Sequence, residues 1–165
     1  LPVLQPQKVK EESFLKQMET IRPDVIVVAA FGQIIPPVLL AIPPLGCVNV
    51  HASLLPAYRG AAPIQWAVID GQKESGVTIM RMDEGLDTGD MISKVVVPLA
   101  QDETGGSLFD KLSAAGAKLL VETLPSLEQG TAVLEKQPKE SPTPYASMIT
   151  KKMGDICWEQ PAQQL

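Results

Sequence analysis

The sequence predicts an α/β fold in which a mostly parallel sheet is flanked by helices, and three observations support this class. Residues 25–30 form a continuous apolar run, rich in valine and isoleucine, of the kind that is buried on both faces of a parallel sheet. Residues 47–51 alternate as a strand does, and a long amphipathic helix begins near Thr104. Helices and strands that follow one another in this way are typical of doubly wound proteins.

The first part of the chain predicts two helices and two strands. One helix begins at about Glu11 and ends before Pro23, and the strand of residues 25–30 follows it. A proline pair starts a short helix that continues through Leu40. The apolar residues that define the first helix recur at helical spacing and are Phe14, Leu15, Met18 and Ile21.

The second part predicts a helix over residues 64–69, strands over residues 76–82 and 91–99, and a final long helix that ends near Gly130. An acidic, glycine-rich loop, residues 83–90, joins the two strands. The final helix buries one apolar stripe, formed by Leu108, Leu112, Ala115, Leu119 and Leu120. The chain from residue 137 onward is rich in proline, serine and lysine, which predicts a linker.

Composition limits the class of protein. The chain has 165 residues, of which 45% are hydrophobic, and this predicts one domain with a substantial core. Its apolar runs are shorter than the ~20 residues of a membrane span, so no membrane association is expected. Two cysteines are too few for a disulfide framework, which favours the cytoplasm. A net charge of −5 argues against nonspecific binding of nucleic acid, although a local RNA contact is compatible with it.

The strand of residues 47–51 carries the most distinctive chemistry. Asn49 and His51 point to one face of it, and His51, the sole histidine, lies where the strand ends. Asp87 lies in the loop that follows another strand, so the sheet can bring the three side chains to one edge. An amide, an imidazole and a carboxylate together suit acyl transfer or hydrolysis. A half-buried histidine bonded to a neighbour is an equally weighted alternative.

Other candidate residues have plainer interpretations. Ser53 is interpreted as a turn residue rather than a nucleophile, because the G-x-S-x-G elbow is missing. Ordinary loop packing is favoured for Phe31 and Ile34, with an apolar slot for a flat ring as the alternative. Arg59 is either a surface turn residue or a contact for a substrate phosphate. One histidine and no thiolate cluster predict no metal site.

Taken together, four strings of residues resemble the methionyl-tRNA formyltransferase family. They are Val48-Asn49-Val50-His51-Ala52-Ser53-Leu54-Leu55-Pro56, Tyr58-Arg59-Gly60-Ala61-Ala62-Pro63-Ile64-Gln65, Gly76-Val77-Thr78-Ile79-Met80 and Gly85-Leu86-Asp87-Thr88-Gly89-Asp90.

The resemblance implies a Rossmann-like formyltransferase fold. The chain starts without methionine, and we expect it to lack the family's first βαβ unit and its C-terminal OB-like domain. The expected organisation is a catalytic domain over residues 1–136 and a linker over residues 137–165.

The resemblance also implies a reaction: transfer of the formyl group of 10-formyltetrahydrofolate to the α-amine of methionyl-initiator tRNA, without a metal. Asn49 would bind the oxyanion, His51 would assist proton transfer, and Asp87 would support His51. Arg59 is the candidate contact for tRNA, and the intact enzyme is expected to be a monomer. The candidate folate-binding residues are Ser53, Leu54, Leu55, Pro56, Phe31, Gly32, Ile34 and Leu86.

Alternatives remain within and outside this family. Relatives use the same folate site to formylate an amino-sugar nucleotide or glycinamide ribonucleotide, or to hydrolyse formyltetrahydrofolate. The strings around Arg59 and Asp87 resemble the tRNA enzyme most. A folate-binding fragment without turnover is the alternative from a different class.

Overall fold

The structure is a computed structural model that describes residues 2–162, and a mixed four-stranded sheet forms its centre. The predicted helices and strands are all present. They are, in chain order, α1 (Glu12–Ile21), β1 (Ile26–Ala29), α2 (Pro37–Leu40), β2 (Cys47–His51), α3 (Pro63–Ile69), β3 (Glu74–Arg81), β4 (Met91–Pro98) and α4 (Gly105–Glu128), followed by a short 3₁₀ turn, Lys151–Gly154. The α/β class with flanking helices is therefore confirmed.

The strand orientations differ from the mostly parallel arrangement that we expected. In the described sheet, of order β1-β2-β3-β4, β1 and β2 are parallel, whereas β2 with β3 and β3 with β4 are antiparallel. The loop between β3 and β4 is too short for the crossover that parallel neighbours require. This short loop makes β4 run antiparallel to β3. The spacing of apolar residues in the sequence does not predict that direction.

The core on one face of the sheet lies under α4. Val48 and Ile79 of the sheet and Leu108 of α4 are completely buried in it. Gly116 lets the helix approach closely, since a Cβ there would lie 3.1 Å from Val50 Cγ1. Burying a side chain such as Leu108 contributes roughly 1.5–3 kcal/mol, so α4 fixes the face of β2 that bears Val48 and Val50.

The opposite face packs against α1 and α2. Ile35 and Leu39 are buried there beside Val9. Cys47 points to this side, where its Sγ lies 3.9 Å from the Leu39 carbonyl oxygen. The alternation of β2 therefore separates its valines from Cys47, Asn49 and His51, as predicted.

The predicted linker is partly packed against the body of the protein. We name residues 135–147 the return segment, because this part of the chain runs back over the end of the sheet. Glu135 and Met91 exchange backbone hydrogen bonds of 2.8 Å, and Ala146 forms a parallel bridge with Gly60. None of the helices in residues 2–162 is both long enough and apolar enough to cross a bilayer.

Candidate active site

His51 lies at the end of β2 with a defined partner or neighbour at each ring nitrogen. Only 5% of its surface is exposed. Its Nε2 lies 3.0 Å from the carbonyl oxygen of Tyr58, and its Nδ1 lies 3.6 Å from Oδ1 of Asp87. The second distance is too long for a hydrogen bond, but it is short enough for the carboxylate to serve as counter-ion when the ring carries a second proton. The structure thus brings His51 and Asp87 together.

Asn49 is on the same face of β2 as His51, two residues earlier. Its backbone pairs with Val28 on β1 and with Met80 on β3, which holds it in the middle of the sheet. Asn49 is half-buried, so part of the residue remains accessible.

The loop between β3 and β4 presents Asp87 in an unusual backbone conformation. Its φ is 55°, in the left-handed region that non-glycine residues rarely adopt. Oδ2 of Asp87 accepts a 2.9 Å hydrogen bond from the Gly60 amide. Gly89 anchors the same loop, because a Cβ there would lie 1.8 Å from the Arg81 carbonyl oxygen. Thr88 and Gly85 donate to Asp83, so the acidic side chain of Asp83 stabilises the turn.

Residues 53–56, which are candidate folate-binding residues, form a turn beside His51. Ser53 is 1% exposed and donates a 2.6 Å hydrogen bond to the Ala57 carbonyl, as expected of a turn residue. Thr78 donates to the Ser53 carbonyl and accepts from the Leu55 amide. The Leu55-Pro56 peptide bond is cis. The Leu55 side chain is buried, and Leu54 packs over Gly76.

The remaining candidates for ring binding lie at the surface. Phe31 and Gly32 follow β1, whose carboxyl end is next to that of β2 because the two strands are parallel. The exposed fractions are 45% for Phe31, 74% for Ile34 and 57% for Leu86. Exposed apolar side chains of this size in the loops after β1 and after β3 are a potential ligand-binding feature.

Arg59 is bound by the return segment. Its Nε donates to Oε1 of Gln137 at 2.9 Å, and its terminal nitrogens donate to the carbonyls of Pro138 and Lys139. Gln137 also donates to the carbonyls of Asp87 and Gly89. Sequence reasoning did not single out Gln137, since it stands in a polar stretch with no motif.

Tyr58 was also missed as a site residue, although it stands in a string that carried the family resemblance. Its carbonyl binds His51, and its hydroxyl donates a 2.8 Å hydrogen bond to Oδ2 of Asp70. Burial and the neighbouring Asp70 carboxylate raise the pKa of Tyr58 to about 12. This phenol is therefore a structural donor that stays protonated at neutral pH.

Two other features of the chain are not reactive centres. Burial raises the pKa of the Cys47 thiol to about 11, so this cysteine is a protonated core residue. Within residues 2–162, no three side chains of the His, Cys, Asp and Glu types are grouped to hold a metal ion.

An open groove of about 500 Å³ beside Arg22 and Asp24 lies before β1, at the end of the sheet remote from His51.

Comparison with known families decides the class of protein. Residues 2–124 match the family model described as formyl transferase. The chain belongs to the formyltransferase family. This confirms the family that the sequence strings indicated.

Curated relatives of this formyltransferase are named methionyl-tRNA formyltransferase. The protein from Agathobacter rectalis is 56% identical over 165 residues, which is 100% of this chain and 53% of the relative. The protein from Caldanaerobacter subterraneus subsp. tengcongensis is 53% identical over 161 residues, 97% of this chain and 52% of the relative. The chain thus spans about half the length of these relatives.

Solved structures support the formyltransferase fold. The formyltransferase PseJ from Anoxybacillus kamchatkensis, in complex with UDP-4,6-dideoxy-4-formamido-L-AltNAc and tetrahydrofolate, has a TM-score of 0.73 and 28% identity, covering 88% of this chain and 72% of that protein. Phosphoribosylglycinamide formyltransferase from Streptococcus pneumoniae has a TM-score of 0.65 and 32% identity, covering 70% of this chain and 64% of that protein.

Proposed function

We propose that this chain is the formyl-transferring part of a methionyl-tRNA formyltransferase, which moves the formyl group of 10-formyltetrahydrofolate to the α-amine of methionyl-initiator tRNA. The observation that carries the proposal is His51, held at the end of β2 between the Tyr58 carbonyl and the Asp87 carboxylate. Identity of 56% along the whole chain to a protein of that name supports the choice of acceptor.

The contacts of His51 favour one nitrogen as the base. A buried carbonyl oxygen needs a donor, so Nε2 carries a hydrogen towards Tyr58. In the neutral ring Nδ1 is then unprotonated, and it faces Asp87 at 3.6 Å. When Nδ1 takes a proton, the imidazolium gains the nearby carboxylate as a counter-ion. Nδ1 is therefore the proposed base, with Asp87 as the counter-ion of the imidazolium that the reaction forms.

In the proposed reaction the amine nitrogen attacks the formyl carbon and forms a tetrahedral intermediate. His51 accepts the proton that the amine loses, and the side-chain amide of Asn49 donates a hydrogen bond to the oxyanion. The bond between the formyl carbon and N10 of the folate then breaks, and N10 receives the proton. Formyl-methionyl-tRNA and tetrahydrofolate are the products, and no metal takes part.

The candidate binding residues lie in the loops after β1, after β2 and between β3 and β4. We propose that Ser53, Leu54, Leu55 and Pro56 contact the folate, and that Phe31, Gly32, Ile34 and Leu86 line the slot for its ring. The exposed apolar surface of Phe31, Ile34 and Leu86 supports this slot, as does the tetrahydrofolate in the PseJ complex.

Arg59 is the proposed contact for tRNA. Its bonds to the carbonyls of Pro138 and Lys139 are exposed, so a phosphate can replace them. We further propose that residues 1–136 form the catalytic domain and that residues 137–165 are a linker to a C-terminal domain of the intact, monomeric protein, with the first part of this linker packed on the catalytic domain through the return segment.

Formylation of an amino sugar is the second candidate. PseJ is similar over 88% of this chain, and its complex contains a formamido sugar nucleotide. Its identity of 28% is half of that to the protein from Agathobacter rectalis, which favours tRNA as the acceptor.

The test is a transfer assay with the intact natural protein, with 10-formyltetrahydrofolate as donor and charged initiator tRNA as acceptor. Loss of one oxyanion donor typically costs ~10²–10³ in turnover, so Asn49→Ala should reduce kcat by that factor while folate binding, measured by calorimetry, stays close to wild type. His51→Ala should be at least as severe. Wild-type kcat in both variants would refute the assignment, and transfer to an amino-sugar nucleotide alone would replace the acceptor.

A further inference from the structure

Gln137 connects the two loops that hold His51. Its Nε2 donates to the carbonyl oxygens of Asp87 at 2.9 Å and Gly89 at 2.7 Å, and its Oε1 accepts from Nε of Arg59 at 2.9 Å. A glutamine amide has two N–H hydrogens and one oxygen, so both hydrogens and the oxygen are used. The bond to Asp87 joins residues that are 50 positions apart in the sequence.

Each of these loops supports one nitrogen of the His51 ring. The loop of Arg59 contributes the Tyr58 carbonyl to Nε2, and the loop of Gly89 contributes the Asp87 carboxylate near Nδ1. The two loops also contact each other through the 2.9 Å hydrogen bond from the Gly60 amide to Asp87. Gln137 is therefore separated from the imidazole by one residue, Asp87, on the Nδ1 side and by two, Arg59 and Tyr58, on the Nε2 side.

Asp87 needs external support because its backbone is in the left-handed region, with φ of 55°. A non-glycine residue keeps this conformation only where its surroundings enforce it. The two bonds from Gln137 fix the carbonyls on either side of Thr88, and they thereby fix the direction of the Asp87 side chain.

The return segment has other anchors besides Gln137. Ser141 donates to the Pro56 carbonyl at 2.8 Å, Thr143 accepts from the Tyr58 amide at 2.7 Å, and Ala146 donates to the Arg59 carbonyl at 2.8 Å. Replacing the Gln137 side chain leaves these bonds in place. Its effect on the site can then be separated from loss of the whole segment.

We propose that Gln137 is a positioning residue for formyl transfer: its amide sets the distance and direction of the Asp87 carboxylate relative to His51. This inference rests on the proposed function. Gln137 itself touches neither His51 nor the reacting atoms.

The experiment compares kcat and KM of Gln137→Met, Gln137→Glu and the matched control Gln17→Met in the intact protein. Gln17 is exposed on α1, away from the site. Misplacement of a catalytic group by about 1 Å costs up to ~10²-fold, so both Gln137 variants should lose ~10- to ~100-fold in kcat with a nearly unchanged KM for the folate. Gln137→Glu retains the acceptor for Arg59 and lacks both donors, so it isolates the bonds to the Asp87 loop.

A second measurement does not depend on turnover. The ring-proton NMR signals of His51 in the intact protein are those that are missing from the spectrum of His51→Ala. These chemical shifts should change in both Gln137 variants and stay constant in Gln17→Met. Unchanged shifts together with wild-type kcat in the folded Gln137 variants would refute the positioning role alone. A wild-type protein that transfers no formyl group to tRNA would instead refute the proposed function, and the NMR comparison would still decide whether Gln137 positions the site.

Discussion

Asp87→Asn removes the charge that faces His51 while it keeps the shape of the side chain. The asparagine oxygen can still accept the 2.9 Å hydrogen bond from the Gly60 amide, so the loop should keep its structure. The amide nitrogen then faces Nδ1 of His51, and no negative charge remains there to stabilise the imidazolium that the proposed reaction forms. The substitution should therefore impair catalysis much more than folding.

The separation of 3.6 Å between Nδ1 and Oδ1 sets the magnitude. Two unit charges at that distance interact by about 1 kcal/mol in water and by about 5 kcal/mol at the effective dielectric constant near 20 that describes protein sites. Each 1.4 kcal/mol corresponds to about tenfold in rate. Because His51 is buried and Asp87 is largely buried, we expect kcat to fall by ~10²- to ~10³-fold.

The assay is formyl transfer to charged initiator tRNA at saturating folate, with Asp83→Asn as the matched control. Asp83 lies in the same loop, is exposed, and accepts from Gly85 and Thr88 rather than facing His51. An exposed substitution of this kind usually changes energies by less than about 0.5 kcal/mol, so the control should stay within about twofold of wild type. Equal kcat values for the two variants would refute the role of the Asp87 charge.

Three further predictions concern stability. Gly89→Ala places a Cβ 1.8 Å from the Arg81 carbonyl oxygen and should lower the free energy of unfolding, measured in urea, by at least about 1–3 kcal/mol. In the control Gly105→Ala the new Cβ meets no atom within 4 Å, so the free energy of unfolding should not fall. Equal losses in the two variants would contradict the steric argument. Thr104→Ala removes the side chain that accepts from the Ser107 amide at the start of α4 and should lower the free energy of unfolding by about 1 kcal/mol, while an unchanged urea midpoint would show that this cap is dispensable. Burial and the Asp70 carboxylate raise the pKa of Tyr58 from its ordinary value near 10 to about 12, so its contribution to stability is complete below pH 10 and is lost as the pH rises towards 12. Tyr58→Phe should therefore show a smaller loss of stability over that interval in pH-dependent thermal unfolding, and an identical slope would disprove the assignment.

Local patterns determined the elements of this protein. The alternation of β2 places Asn49 and His51 on one face, and the 3.6-residue periodicity of α4 places Leu108 and Leu112 in the core. Both patterns depend only on residues that are close in the sequence, so the sequence alone was sufficient to predict the strand and the helix. The strand end at His51 and the loop position of Asp87 were predictable for the same reason.

Contacts between distant residues were decided only by the tertiary structure. β3 is antiparallel to β2 and β4 because of how the chain turns between these strands, and the spacing of apolar residues does not predict that direction. Gln137 stands in a polar stretch that reads as a linker, yet it reaches across 50 positions to the Asp87 loop. Hydrogen bonds of this kind depend on the geometry of the folded chain rather than on periodicity. The sequence therefore determined which elements bear the candidate side chains, and the tertiary structure decided what holds them in place.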